Sequence, residues 1–147
     1  MSDAPNAKPS NRALIVRNLI RLWSEIRNGR YFAHRGAINW TGFPFDKHAF
    51  AVAVLVDESP LLVDNGDLRI SIEVFTKLKN PTEVGIDDLT LDDLFEDCQN
   101  VLASLKKVTR PDGELLVIGV LPFPALEAHD VDNRGIEGII ARVTVRF

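Results

Sequence analysis

Three histidines, one cysteine and two groupings of carboxylates are the side chains here that could do chemistry. His34, His48 and His129 are the first candidates for proton transfer, because imidazole changes charge near neutral pH. They fall in two loops and at the start of a strand, without metal-ligand spacing, and read as structural or surface residues. Cys98 follows Glu96 and Asp97 on an apolar helix face. A nucleophilic thiolate needs an exposed, electropositive setting, so Cys98 reads as a core thiol. Asp64, Glu73 and Lys77 suggest a metal-dependent nuclease, whose strand carries Glu-x-Lys. Here Glu73 is followed by Val74 and Phe75, and the pattern fails. Asp130, Asp132 and Asn133 begin like a calcium loop, but Arg134 takes a ligand position and no Glu closes it. Gly-rich phosphate loops, nucleophile elbows and H-E-x-x-H are lacking from the sequence. The reading is of a protein with no catalytic residues, no metal and no cofactor.

A nucleic-acid reading has more to it. Arg27, Arg30 and Arg35 alternate with Tyr31, Phe32, His34 and Trp40, and aromatics among arginines can stack bases and grip phosphates. The competing reading is a flap that covers the core and leaves its arginines in water. A pI near 5.3 weighs against a dedicated DNA-binding module.

The elements that must hold these residues can be read from periodicity. The 147 residues, 46% apolar and 26% charged, suit one ordinary globular domain. With a single cysteine no internal disulfide can form, and a domain of this length needs none. Residues 1–10 read as a loose polar arm without a signal-peptide run, and residues 11–147 as one domain. The longest apolar stretch, 49–56, is too short to span a bilayer.

Ser10 offers an N-cap, and Ile15, Leu19, Leu22, Trp23 and Ile26 follow a helical stripe over 11–27, stopped by Asn28-Gly29. Residues 30–47 show neither helical nor strand period, yet carry Tyr31, Phe32, Trp40, Phe43 and Phe45. Residues 48–56 read as a buried strand, and 68–78 as a strand alternating cleanly between faces. The turn Asp64-Asn65-Gly66-Asp67 joins the two as an antiparallel pair. Thr90 reads as the N-cap of a second helix, striped by Leu91, Leu94, Phe95, Cys98, Val101, Leu102 and Leu105. Pro111-Asp112-Gly113 is a turn, 114–120 a strand apolar on both faces, 121–134 a loop, and 136–147 a last alternating strand. The expected fold is α+β, with about four mostly antiparallel strands against two amphipathic helices in the order α-β-β-α-β-β. Its core would hold Ile15, Leu19, Trp23, Ile70, Ile72, Leu94, Phe95, Cys98 and Leu102.

Charge is divided along the chain. Residues 1–47 carry eight Lys/Arg against three Asp/Glu, and residues 48–147 carry nine against eighteen. Such a split can mark a nucleic-acid footprint or two surfaces that meet in an oligomer.

The order of elements, with LRISIEVFTKL at 68–78, DDLFEDCQNVLASLKKV at 92–108 and IEGIIARVTVRF at 136–147, resembles the tail terminator (tail completion, minor tail protein U-like) proteins of long-tailed bacteriophages. The resemblance covers roughly residues 11–147 and is one of pattern. It implies a virion protein of the tail and neck, assembled in the host cytoplasm without a membrane. Its copies would form a ring, usually sixfold, that caps the tail tube and meets the head–tail connector. Genomic DNA would pass through unread. Another neck or connector component, or a small nuclease-like protein using residues 27–47, are the alternatives. In the ring reading the expected interface comprises Arg17, Arg21, Tyr31, Trp40, Phe43, Phe45, Asp88, Asp92, Asp93 and Glu96.

Overall fold

The structure, a computed structural model, describes residues 10–56, 66–77, 91–121, 126–131 (backbone alone) and 136–147. The expected N-terminal arm, Asp64-Asn65, the acidic loop with Asp88, the Thr90 cap and Asp132-Asn133 lie outside the described residues.

Helix α1 spans Asn11–Glu25. Ser10 caps it as expected, its hydroxyl oxygen accepting from the Ala13 N–H at 3.1 Å. Ile15, Val16, Leu19 and Trp23 form its buried stripe. Its end is abrupt: Arg27, Asn28 and Gly29 all have positive φ, at 51°, 56° and 76°. Glycine takes that conformation without penalty and asparagine tolerates it, whereas for Arg27 it costs about 1 kcal/mol.

Three strands follow: β1 (Tyr31–Arg35), β2 (Phe50–Val56) and β3 (Asp67–Lys77). After helix α2 (Leu91–Leu105) come β4 (Gly119–Leu121), β5 (Leu126–Val131) and β6 (Ile136–Arg146). They form one six-stranded sheet in the order β1-β2-β3-β6-β4, with β5 also on β6. The α+β class and the β2–β3 antiparallel pair are as the sequence predicts. The strand count and order differ. Strand β1 lies within the stretch expected to be irregular and pairs with β2 in parallel, Tyr31 opposite Phe50. Strand β5 lies within the expected loop 121–134, and of the expected strand 114–120 only Gly119 and Val120 join the sheet, in β4.

Strands β4 and β5 share one side of β6. Leu121 stands opposite Thr144 and Leu126 opposite Ala141. Before β4, a tight turn at Pro111-Asp112-Gly113 brings Thr109 opposite Leu115. The Leu116 N–H donates to the Val108 carbonyl at 2.9 Å.

Both helices pack on one face of the sheet. Their stripes meet Val52, Val54, Leu68, Ile70, Ile72, Val74, Ile139, Ala141, Val143 and Val145. Every residue of the expected core is buried except Phe95, which is half-buried at the rim. The opposite face carries a smaller cluster of Trp40, Ala51, Ala53, Phe75 and Ile136.

Candidate functional site

Asp97 is the most deeply placed charge among the described residues, 5% exposed on α2. A carboxylate there must be fully hydrogen-bonded. Arg27 supplies a fork: Nε donates to Oδ2 at 3.0 Å and Nη2 to Oδ1 at 2.9 Å. The Tyr31 hydroxyl donates to Oδ2 at 2.7 Å. The fork holds Arg27 in its left-handed backbone, and the ion pair therefore fixes where α1 stops and β1 starts. Hydrogen bonding to Asp97 raises the Arg27 pKa above its ordinary value. Burial, then the bond to Asp97, raises that of Tyr31. Cys98, next along the helix, is wholly buried, and desolvation pushes its thiol up to about 12. A thiol held protonated in an apolar core is a packing residue, as expected. The arrangement of Arg27, Tyr31 and Asp97 joins helix to strand.

The aromatics of 30–47 divide between the two faces. Tyr31 points into the main core, edge-on to Trp23 at 5.0 Å. From Trp40 onward the chain folds back over the far face as a flap. The Trp40 ring lies 4.5 Å from that of Phe75, and its Nε1 donates to Glu73 Oε1 at 3.0 Å. Phe43 and Phe45 pack on Trp40 and on each other. Phe75 needs space that only glycine leaves, since its ring covers Gly138 on β6. The far face of β3, expected to be wet or partner-facing, is thus covered at the Glu73–Phe75 end. It stays polar at the other, where Arg146 pairs with Asp67 at 3.3 Å.

This arrangement bears on each candidate. Tyr31 and Trp40 are buried, so neither presents an open ring face for stacking. Phe43 and Phe45 are half-buried in the flap. Arg30 lies over the Phe50 ring at 4.7 Å. Arg21 donates to Glu25 and to Asn18 on its own helix. Arg17, Asp92 and Glu96 are exposed, Asp93 is half-buried, and Asp88 is outside the described residues. Glu73 accepts from the Trp40 indole through Oε1, and among the described residues no group of three or more His, Cys, Asp and Glu could hold a metal ion. No helix among the described residues is long and apolar enough to cross a membrane.

Sequence reasoning missed a patch. Leu115, Ile118 and Leu121 are 54%, 78% and 40% exposed, while Leu116 and Val117 between them are buried. Exposed apolar side chains clustered on a surface are the ordinary material of a contact, and these three fall within seven positions of the chain. The signal was the run ELLVIGV, apolar on both sides. Such a run is buried only in the middle of a sheet, and this one leads into its edge. No family model matches the chain, and no curated protein matches it.

Proposed function

We propose that this chain is a structural subunit that assembles with its own copies into a ring at the end of a phage tail tube, in the manner of the tail terminators it resembles. The tail tube would lie on one side and the head–tail connector on the other, with genomic DNA passing through unread. It would act in the virion, after assembly in the host cytoplasm, without catalysis. The observation that carries this reading is the exposed trio Leu115, Ile118 and Leu121 at and before β4, which is an edge strand among the described residues. The buried Asp97 and Tyr31, with the more exposed Arg27, are meanwhile engaged in holding the fold. A neck or connector subunit would share this surface and differ in what it caps. The nucleic-acid alternative is weakened by the burial of Tyr31 and Trp40. Negative-stain imaging of the purified chain, alone and added to purified tail tubes, tests the reading. Rings, or tubes capped at one end, are expected; free monomers that leave tube ends bare would refute it.

A further inference from the structure

We propose that two copies of this chain pair about a two-fold axis at the segment from Leu115 to Leu121, each covering the other's Leu115, Ile118 and Leu121. This rests on the self-assembly proposed above and gives those side chains their occupant, so the head-to-tail contact of a ring must lie on another surface.

The segment is held firmly. A turn at 111–113 joins two short arms, the Arg110 N–H donating to the Glu114 carbonyl at 2.7 Å and the Leu116 N–H to the Val108 carbonyl. Leu116 and Val117 root it in the core, and the Ile118 N–H donates to the Arg146 carbonyl at 2.7 Å. Ile118 nevertheless leaves 78% of its surface exposed. A side chain displayed from a fixed backbone loses little freedom when a partner covers it. Leu115, Ile118 and Leu121 are the only large apolar side chains that the described residues expose. Among the described residues, the one apolar surface that a second copy can offer these three is therefore the same three. A surface that covers itself does so about a two-fold axis.

Charge on the flanks fits that symmetry. Lys106 and Lys107 are exposed where α2 runs into the first arm, at the base of the turn. Asp112 and Glu114 are exposed at its tip, where Arg110 offsets Asp112 at 3.4 Å and leaves Glu114 in excess. The base is therefore basic and the tip acidic. A two-fold axis between Leu115 and Ile118 reverses one copy against the other and lays each acidic tip beside the other's basic base. Both ends then match, whereas a copy laid parallel would set like charges together. A stable interface usually buries roughly 800 Å² per partner, more than three side chains supply. The charged ends thus belong to the contact and fix its direction.

Light scattering on the full chain across a concentration series should give even multiples of the chain mass. Ile118→Lys should raise the protein concentration needed for pairing about tenfold, with the far-ultraviolet circular dichroism of a folded chain. Glu114→Lys should raise it about two- to fivefold. Adding Lys107→Glu to Glu114→Lys should restore pairing, because the exchanged charges meet again across the axis. In Ile118→Cys a short bismaleimide should link two copies, since a two-fold contact brings the same residue of both together, while Cys98 stays wholly buried. The contact is wrong if Ile118→Lys leaves the mass unchanged, or if Ile118→Cys yields no linked pair; rings or capped tubes would then leave the ring reading standing. Linked pairs that never close into rings or cap tubes would uphold this contact and remove the ring reading. A chain that is monomeric at every concentration overturns the contact, and with bare tube ends it overturns the ring reading as well.

Discussion

The Tyr31 hydroxyl donates to Oδ2 of Asp97 at 2.7 Å, linking the first strand to the second helix across 66 positions of chain. Arg27 completes the set from the residue that ends α1. Tyr31→Phe removes one bond to a charged acceptor that keeps Arg27, and should cost about 1–2 kcal/mol of unfolding free energy. Asp97→Asn weakens both bonds and releases Arg27 from its left-handed backbone. It should cost about 1–3 kcal/mol, the charge contribution being screened because the Arg27 side chain is 37% exposed. Urea titrations check both values, and a fully stable Asp97→Asn would remove the pair from the account of the fold.

Alkali should weaken the domain before acid chemistry of these groups matters. Cys98 and Tyr31 both hold their protons more tightly folded than unfolded. The stability this represents is complete below their ordinary values of 9.0 and 10.0, and is lost as pH rises above them. The urea midpoint should therefore fall above about pH 9, and in Cys98→Ala the fall should begin nearer pH 10. At neutral pH a thiol reagent should modify Cys98 only at the rate of unfolding.

Gly138 permits the far face to pack. A Cβ there would collide with the Val74 carbonyl oxygen and come within 2.6 Å of the Phe75 ring. Gly138→Ala should cost about 1–3 kcal/mol in thermal or urea unfolding, because backbone and ring must both shift. A neutral result would mean that Phe75 and its Trp40 cover can move aside freely.

Much of this arrangement was legible in the sequence. The stripes of α1 and α2 and the strict alternation of β3 and β6 identify themselves, because each buries one face against a large partner. Strand β1, YFAHR, was not legible: five residues ending in a histidine and an arginine carry no period, and it exists because β2 offers a ladder. Strand β5, LEAHDV, hides likewise behind its charges, as short edge strands do. The flap over Phe75 was legible as excess aromatics, but its target was not, since Trp40 and Glu73 stand 33 positions apart. The Arg27–Asp97 pair joins residues 70 apart and left no local mark.

Trp40 also separates the alternatives. Trp40→Ala opens the far-face cluster and should cost about 3–5 kcal/mol. Because the indole is buried, adding single-stranded DNA to the intact protein should leave tryptophan fluorescence unchanged. Quenching by DNA, or metal-dependent cleavage abolished by Glu73→Ala, would promote the nuclease-like reading.

The central claim is self-assembly, and the mass of the chain in solution tests it most directly. Light scattering on the separated protein, from low to high concentration and from low salt to about 1 M, where screening length falls to roughly 3 Å, should give a discrete multiple of 16.4 kDa. Assembly should weaken with salt and in Arg17→Glu with Arg21→Glu, because exposed charge pairs set register around an apolar contact. A mass of one chain at every concentration and salt, with tail tubes left uncapped, would contradict the account.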